Sequence, residues 1–428
     1  MAARGHTLAI LTAIFTISFM DRQILAILFE PLKREFELTD TQLGLLSGPA
    51  FVLFYTALGI PVALWADRGN RSRIIGLALV VFSTMTVLCG LAASFWQLLL
   101  ARIGVAVGEA GTNPPSQSII AELYGPEERT AAMGWFSLGP HLGLLLGLLL
   151  GGWLGQWYGW RAALWTAGAI GIACAVMVRV SLHEPPRDLS GGPPAKSPAT
   201  LREGCGFILS HHALRHLYVG GSLLSFVAYG LVTWLPSFLM RTHGLTTGQA
   251  GTAVAVMMGI LGAVGTLAGS RLTNRLARAG IHWKARAPAL GAMAMLLFVV
   301  GGILADNLAA ALICLGIASI GIVWFLPPTF ALVQDLTDPR MRALAAALLL
   351  FVGNLVGLGL GSQLIGLLSD ALAPRLGPDA LRHALLLVVP IGLWGAYHYL
   401  RAARAVTAAT GAEINAHPPP AHAGLRNA

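Results

Sequence analysis

Apolar stretches of roughly 20 residues follow one another along almost the whole chain, and no motif constrains its fold as tightly as that succession. A helix needs ~20 mostly apolar residues to cross ~30 Å of hydrocarbon, where only helices and closed barrels satisfy their own backbone groups. The 428 residues are 56% hydrophobic and 11% charged, against about 25% charged in an ordinary soluble domain. A large soluble domain is therefore excluded, and an all-α polytopic membrane protein is expected. Spans are predicted at 7–29, 42–66, 74–94, 98–123, 129–156, 160–182, 214–240, 248–273, 286–305, 308–335, 340–370 and 382–402. Twelve crossings return both termini to one side.

The formal charge of +9 is read in this context as a topology signal, because Lys and Arg concentrate in cytoplasmic loops. Arg68, Arg71, Arg73, Arg271, Arg275, Arg278, Lys284 and Arg286 fall on the side of the termini, while Lys33, Arg34, Arg161, Arg241, Arg375 and Arg382 fall on the other. Both termini are thus expected in the cytoplasm, and nucleic acid is not an expected partner. The first apolar run continues into Asp21-Arg22 without a small-residue cleavage site, so no cleavable signal peptide is expected. Cys89, Cys174 and Cys314 lie in spans and Cys205 lies between the halves. That spacing suits neither a disulfide frame nor a metal cluster, and no metal or cofactor is expected.

The Pro- and Gly-rich stretch 183–213 reads as a linker between a six-helix unit at 1–182 and a second at 214–404, with a short surface helix near Leu201–Leu209. The tail 405–428 has few large apolar residues and is expected to be disordered. The two units are related by sequence. Pro114-Pro115, Glu122, Pro126 and Arg129 recur 213 residues later as Pro327-Pro328, Asp335, Pro339 and Arg342. Gly139, Gly143, Gly147 and Gly152 recur at 214 as Gly353, Gly357, Gly361 and Gly366, a spacing suited to close helix packing. Repeated bundles of this kind hold their substrate at the interface between repeats.

The run Ala63-Leu64-Trp65-Ala66-Asp67-Arg68-Gly69-Asn70-Arg71-Ser72-Arg73 resembles the loop signature of the major facilitator superfamily, with Ala63 where a Gly is usual and Ser72 where a basic residue is common. The resemblance covers the whole chain and implies two pseudo-symmetric six-helix bundles. In this reading Asp67, Arg68 and Arg71 form a conformational latch. Asp67 would approach the N-terminal end of the eleventh helix near Asp338-Pro339, where the helix dipole favours an anion.

Four ionisable groups other than histidine sit well inside spans: Asp21 and Arg22 in the first, Arg102 and Glu109 in the fourth. Placing such a group at a helix centre costs ~2.5 to 3.5 kcal/mol on insertion scales, which marks it as functional by default. Their counterparts in the second unit are Ala228, Tyr229, Leu315 and Ile322, so the shared scaffold does not require them. Seven residues separate Arg102 from Glu109, which puts them on one face at roughly 10 Å. Desolvation and a nearby arginine act on a carboxyl in opposite directions with comparable strength, so small movements can switch its protonation. Asp21 and Glu109 are therefore the candidate proton-coupling sites, with Arg22 and Arg102 as charge partners or headgroup anchors. His141, Asn113, Tyr229 and Trp324 are candidates for lining the substrate cavity.

Phe19-Met20-Asp21-Arg22, Ala101-Arg102, Gly108-Glu109-Ala110 and Ile119-Ile120-Ala121-Glu122-Leu123-Tyr124 resemble the spinster-like branch of that superfamily. The resemblance implies proton and substrate handling by Asp21, Arg22, Arg102 and Glu109, and transport of lysolipids or sphingolipid-like amphiphiles. A monomeric bacterial inner-membrane member is expected, exporting such an amphiphile by proton-coupled alternating access. Proton-driven transport of small organic anions or lipophilic drugs suits the same cavity and stays open as the alternative. No nucleophile elbow, metal-ligand cluster or phosphate-binding loop is present in the sequence, so an enzyme is not expected.

Overall fold

The computed structural model describes residues 2–182 and 200–416, which are helical with no strand among them. Among the described residues, ten helical stretches are long and apolar enough to cross a bilayer. One of them, Leu344–Ala408, turns back at Gly377 and supplies two crossings. The remaining crossing comes from Phe95–Glu109 and Asn113–Leu123, two pieces each too short to span alone. Leu91, Leu100, Val180 and Leu297 each expose more than half their surface, which only hydrocarbon would cover at no cost.

Helix one is Ala2–Ile27, followed by a short helix Phe29–Phe36; helix two is Asp40–Ser47 plus Pro49–Arg68, and helix three is Arg71–Leu91. After the broken helix four come helix five (Pro126–Phe136 plus Gly139–Tyr158) and helix six (Trp160–Ser181). Helix seven is His212–His243, helix eight Thr247–Leu276, helix nine Trp283–Leu304, and helix ten Leu308–Ile322 plus Leu326–Asp335. Helix eleven is Arg342–Leu376, and helix twelve is Ala380–Leu387 plus Val389–Ala416.

Several expected helices are broken, and each break precedes a proline. Helix four parts before Pro114-Pro115, helix ten before Pro327-Pro328, helix five before Pro140 and helix two before Pro49. A proline lacks the N–H that would bond back into the preceding turn, and its ring clashes there. Helices eight and eleven stay continuous through seven-residue π segments at Ala255–Leu261 and Leu355–Gly361. The expectation of a structureless tail from 405 is corrected in part: helix twelve runs on to Ala416, through a segment rich in the strong helix former alanine. Residues 183–199 and 417–428, the first part of the expected linker and the end of the tail, lie outside the described residues. Leu201–Ser210 forms the short helix predicted between the halves, capped by a reciprocal Thr200–Glu203 pair.

The repeated glycines explain how the two halves are built and joined. A Cβ on Gly139, Gly143 or Gly147 would press into helix one, on Gly143 to 2.4 Å from the Thr16 carbonyl. Gly357 and Gly361 press in the same way on helix seven, on Gly361 to 2.5 Å from the Phe226 carbonyl. The last glycine of each series reaches across to the other half: Gly152 faces Thr247 and Gly366 faces Asp40. Helix five thus packs on helix one and then on helix eight, and helix eleven packs on helix seven and then on helix two.

These cross-half contacts gather at the end remote from the chain termini. There Trp153 donates to Thr252 at 3.0 Å, Gln156 accepts from the Gly248 amide at 2.9 Å, and a Cβ on Gly48 would meet the Gly359 carbonyl at 2.7 Å. Toward the termini, Leu138, Leu142 and Trp135 on helix five and Trp65 on helix two are each more than two-fifths uncovered. The halves are closed against each other at the far end and part toward the end that carries the termini.

Candidate functional site

The four span charges converge into one cluster, paired differently from their spacing along the chain. Asp21 on helix one accepts from Arg102 Nη1 on helix four at 2.7 Å and from the Thr86 hydroxyl on helix three at 2.5 Å. Arg22, the next residue, donates through Nε and Nη2 to Glu109 Oε2 at 2.8 and 2.7 Å. Adjacent residues on helix one thus each take a partner from helix four. Residues seven apart lie on one helix face, so Arg102 and Glu109 both face helix one. Asp21, Arg102 and Glu109 are buried, whereas the Arg22 side chain retains 15% exposure.

Glycine brings helix four close enough for this. A Cβ on Gly108 would fall 2.5 Å from the Phe82 amide nitrogen of helix three, and one on Gly111 2.8 Å from the Ala78 side chain. The break after Glu109 follows at once, with Ala110 to Thr112 in turns before Asn113 restarts the helix. The cluster carries no net charge with both carboxyls ionised, which is the arrangement that makes burial of four charges tolerable. Glu109 Oε1 and Arg102 Nε have no hydrogen-bond partner among the described residues.

An aromatic cage surrounds the arginines. The Arg22 guanidinium carbon lies 4.9 Å from the Phe19 ring centre, 4.6 Å from Phe51 and 4.7 Å from Tyr55, and that of Arg102 lies 4.8 Å from Phe51 on helix two. Such contacts hold a cation where water is scarce. Phe19, Arg22, Gln23, Ala26, Phe51 and Arg102 form one wall of a cleft between the halves, and Tyr229, Thr233 and Leu358 form the other. The Gln23 carbonyl oxygen also lacks a partner there among the described residues.

Of the candidate cavity residues, Tyr229 lines this cleft and donates to Asn354 Oδ1 at 3.3 Å. Asn113 sits at the restart of helix four, accepting from Gln117 at 3.0 Å, and His141 bonds the Ser137 carbonyl of its own helix at 3.4 Å. Neither is in the cleft wall beside Arg22. Trp324 is placed inside the second half: a Cβ on Gly269 or Gly291 would meet its ring at 2.3 and 2.4 Å, and its indole N–H donates to Thr273. Of the latch residues, the Asp67 and Arg68 side chains lie outside the described residues. Arg71 is buried and donates to Glu122 at 2.6 Å and Ser118 at 3.0 Å, within its own half.

A second charged assembly closes the far end. Arg241 of helix seven donates two bonds to Asp40 at 2.6 and 2.7 Å and one to Glu30 at 2.8 Å, both in the first half. Asp370 of helix eleven accepts from the backbone amides of Asp40 and Thr41 at 3.0 and 2.7 Å, capping helix two from the other half. The Thr39 hydroxyl accepts from Gln42, so three of the unpaired amides that open this helix are satisfied. Lys33 and Ser369 also reach Asp40. The sequence marks these residues only as charges near span ends.

Comparison with known proteins agrees with this geometry. Residues 11–362 match the family model of the Major Facilitator Superfamily. An MFS-type efflux pump of Mycolicibacterium smegmatis is 33% identical over 89% of this chain and 88% of its own. Spinster homolog 1 of Xenopus tropicalis is 25% identical over 93% of this chain and 81% of its own. The crystal structure of a bacterial homolog to the human lysosomal transporter Spinster, inward-facing and unoccupied, superposes with a TM-score of 0.85 at 31% identity, covering 95% of this chain and 98% of the other.

Proposed function

The chain belongs to the major facilitator superfamily and is a membrane-spanning transporter with spinster-like relatives, and from that premise we propose that it is a proton-coupled carrier of an amphiphile with a charged headgroup. The observation that carries this reading is the buried, neutral cluster of Asp21, Arg102, Arg22 and Glu109 beside a cleft whose other lining is uncharged, with Phe19, Phe51 and Tyr229 set among the neutral polar Gln23, Ser47 and Thr233. Protonating a carboxyl in such a cluster removes one negative charge and leaves an arginine short of a partner. An anionic headgroup entering the cleft would replace the lost charge, so proton and substrate occupancy become linked.

In this reading Arg22 makes that exchange, supported by its partial exposure and its position in the cleft lining while its partner Glu109 is fully covered. The aromatic rings around it suit the greasy part of a lysolipid or sphingolipid-like molecule. With the termini in the cytoplasm, as the basic loops predict, the cleft opens inward; outward opening requires the far-end contacts to part. Asp67, Arg68 and Arg71 are proposed to steady that outward state. A small lipophilic drug or organic anion is the second reading, favoured by the efflux-pump name of a 33% identical relative.

The test is uptake and release of lysophosphatidylcholine, a sphingoid base phosphate and a lipophilic cationic dye in proteoliposomes under an imposed pH gradient. Asp21→Asn and Glu109→Gln should abolish the dependence on the gradient while exchange at equal pH persists. Unchanged pH dependence in both variants would refute the proton assignment, and transport confined to the dye would refute the lipid.

A further inference from the structure

At the end that carries the termini, helices seven and twelve assemble a patch of basic and aromatic side chains away from the cleft. The start of helix seven supplies His212, Arg215 and His216, and helix twelve supplies Trp394, Tyr397, His398 and Arg401. Positions 394, 397, 398 and 401 fall on one helix face. The His212 and His216 rings are 4.7 Å apart and the His216 and His398 rings 4.9 Å. The Nδ1 atoms of His216 and His398 approach to 2.8 Å, so one ring donates to the other. Arg401 donates to the Tyr397 hydroxyl at 2.9 Å, and Arg215 is exposed. His211, the next basic group, is occupied as a cap: its Nδ1 accepts the Leu214 amide.

No carboxylate forms an ion pair with any of these groups among the described residues. Two arginines stand beside three imidazoles with no acid between them, and an anion is the missing complement. The order along helix twelve says which anion. Trp394 and Tyr397, 56% and 48% exposed, lie nearer the bilayer centre, and Arg401 lies closer to the surface by about 10 Å from Trp394 and about 6 Å from Tyr397. That is the order of an acyl chain, a glycerol and a phosphate at a membrane interface, and aromatic side chains are enriched at that depth. We propose that this patch binds the phosphate of an anionic phospholipid drawn from the surrounding bilayer, with its acyl chains against Trp394 and Tyr397. Basic pockets between membrane helices take such headgroups.

The test uses the full chain in nanodiscs of phosphatidylcholine with and without phosphatidylglycerol, read by thermal unfolding and by native mass spectrometry of retained lipid. Phosphatidylglycerol should raise the unfolding midpoint and remain bound after the disc is removed. Each of R215Q and R401Q should weaken retention about fivefold, and R215K/R401K should restore it. Raised salt should release the lipid from the wild-type protein, a readout that needs no variant to fold. Equal retention of phosphatidylcholine, salt-independent retention, or undiminished binding in R215Q/R401Q would overturn the proposal. So would equal stabilisation by inorganic phosphate, which would make the patch a site for a free anion. Because the patch is remote from Arg22 and Glu109, none of these outcomes bears on the transport reading.

Discussion

Replacing Arg241 by glutamine should shift the protein from the state closed at the far end toward one open there. Arg241 is the sole cation of the second half in the described far-end assembly, and it bridges Glu30 and Asp40 of the first. Removing one partner of a buried pair costs ~3 to 5 kcal/mol when the remaining charge is stranded. Here the cost is smaller, because Asp40 keeps Lys33 and Ser369 while Glu30 alone loses its ion partner. In the open state the same carboxylates meet water, so the loss falls on the closed state only. With ~2 to 3 kcal/mol removed, the closed-to-open ratio should fall about 30- to 150-fold. Spin labels at Glu37 and Arg375, exposed on opposite halves at this end, would report it as growth of a longer-distance population in a background free of the native cysteines. Lys33→Gln should move it less, since Lys33 and Asp40 belong to the same half. Identical distance distributions for Arg241→Gln and wild type would mean that the assembly carries no conformational free energy, and the reasoning would fail.

Gly143→Leu should prevent helix five from seating on helix one, given the Thr16 carbonyl 2.4 Å from its Cβ position, and lower the unfolding midpoint sharply; Gly134→Ala, with nothing within 4 Å, should not. Trp324→Ala should destabilise by about 3 to 5 kcal/mol in chemical unfolding while leaving substrate preference unchanged, because the ring packs within the second half. Glu35 sits below its ordinary carboxyl range because the Trp160 indole N–H donates to it at 2.6 Å and Arg161 pairs with it at 2.5 Å. A depressed carboxyl contributes stability that is present above its unfolded value of about 4.3 and lost as pH falls through the lower folded value. Glu35→Gln should therefore show a shallower loss of thermal stability on acidification below about pH 4 than wild type.

The crossings and the repeat were legible because both are patterns of one helix at a time, set by length, apolarity and glycine spacing. The charges were legible as anomalies, but their meeting was not. Arg102 and Glu109 share a face of helix four, and charge sign matches one to Asp21 and the other to Arg22 only once that face meets helix one. Which helix the face meets is set by packing of the whole bundle, in which helix four sits close against helix three at Gly108 and Gly111. The Phe51 and Tyr55 cage was hidden for a different reason: an aromatic side chain in a span looks the same whether it meets lipid, core or a cation. Trp324 carries the same ambiguity, and its pattern suits a cavity as well as a core. Its actual setting had a signal, in Gly269 and Gly291, whose missing side chains make room for the indole. The Arg241 assembly needs the docking of two halves, which the charges near span ends do not encode individually.

The scaffold is repeated but the charge is not, and this asymmetry constrains how the cleft can close. Helices four and ten break at equivalent places, after Glu109 in one half and after Ile322 in the other. The wall opposite Arg22 carries Tyr229 at the position that matches it. A single neutral cluster facing a tyrosine wall lets the halves approach without burying unbalanced charge. Tyr229→Arg would set a second cation on the facing wall; at ~8 Å and an effective dielectric of ~20 the repulsion is about 2 kcal/mol. Transport in proteoliposomes should then fall by more than tenfold at unchanged membrane insertion, whereas Tyr229→Phe, which keeps the ring and the neutrality, should retain most of it. Equal activity of the arginine and phenylalanine variants would show that the cleft closes without regard to charge, and the argument from asymmetry would fall with it.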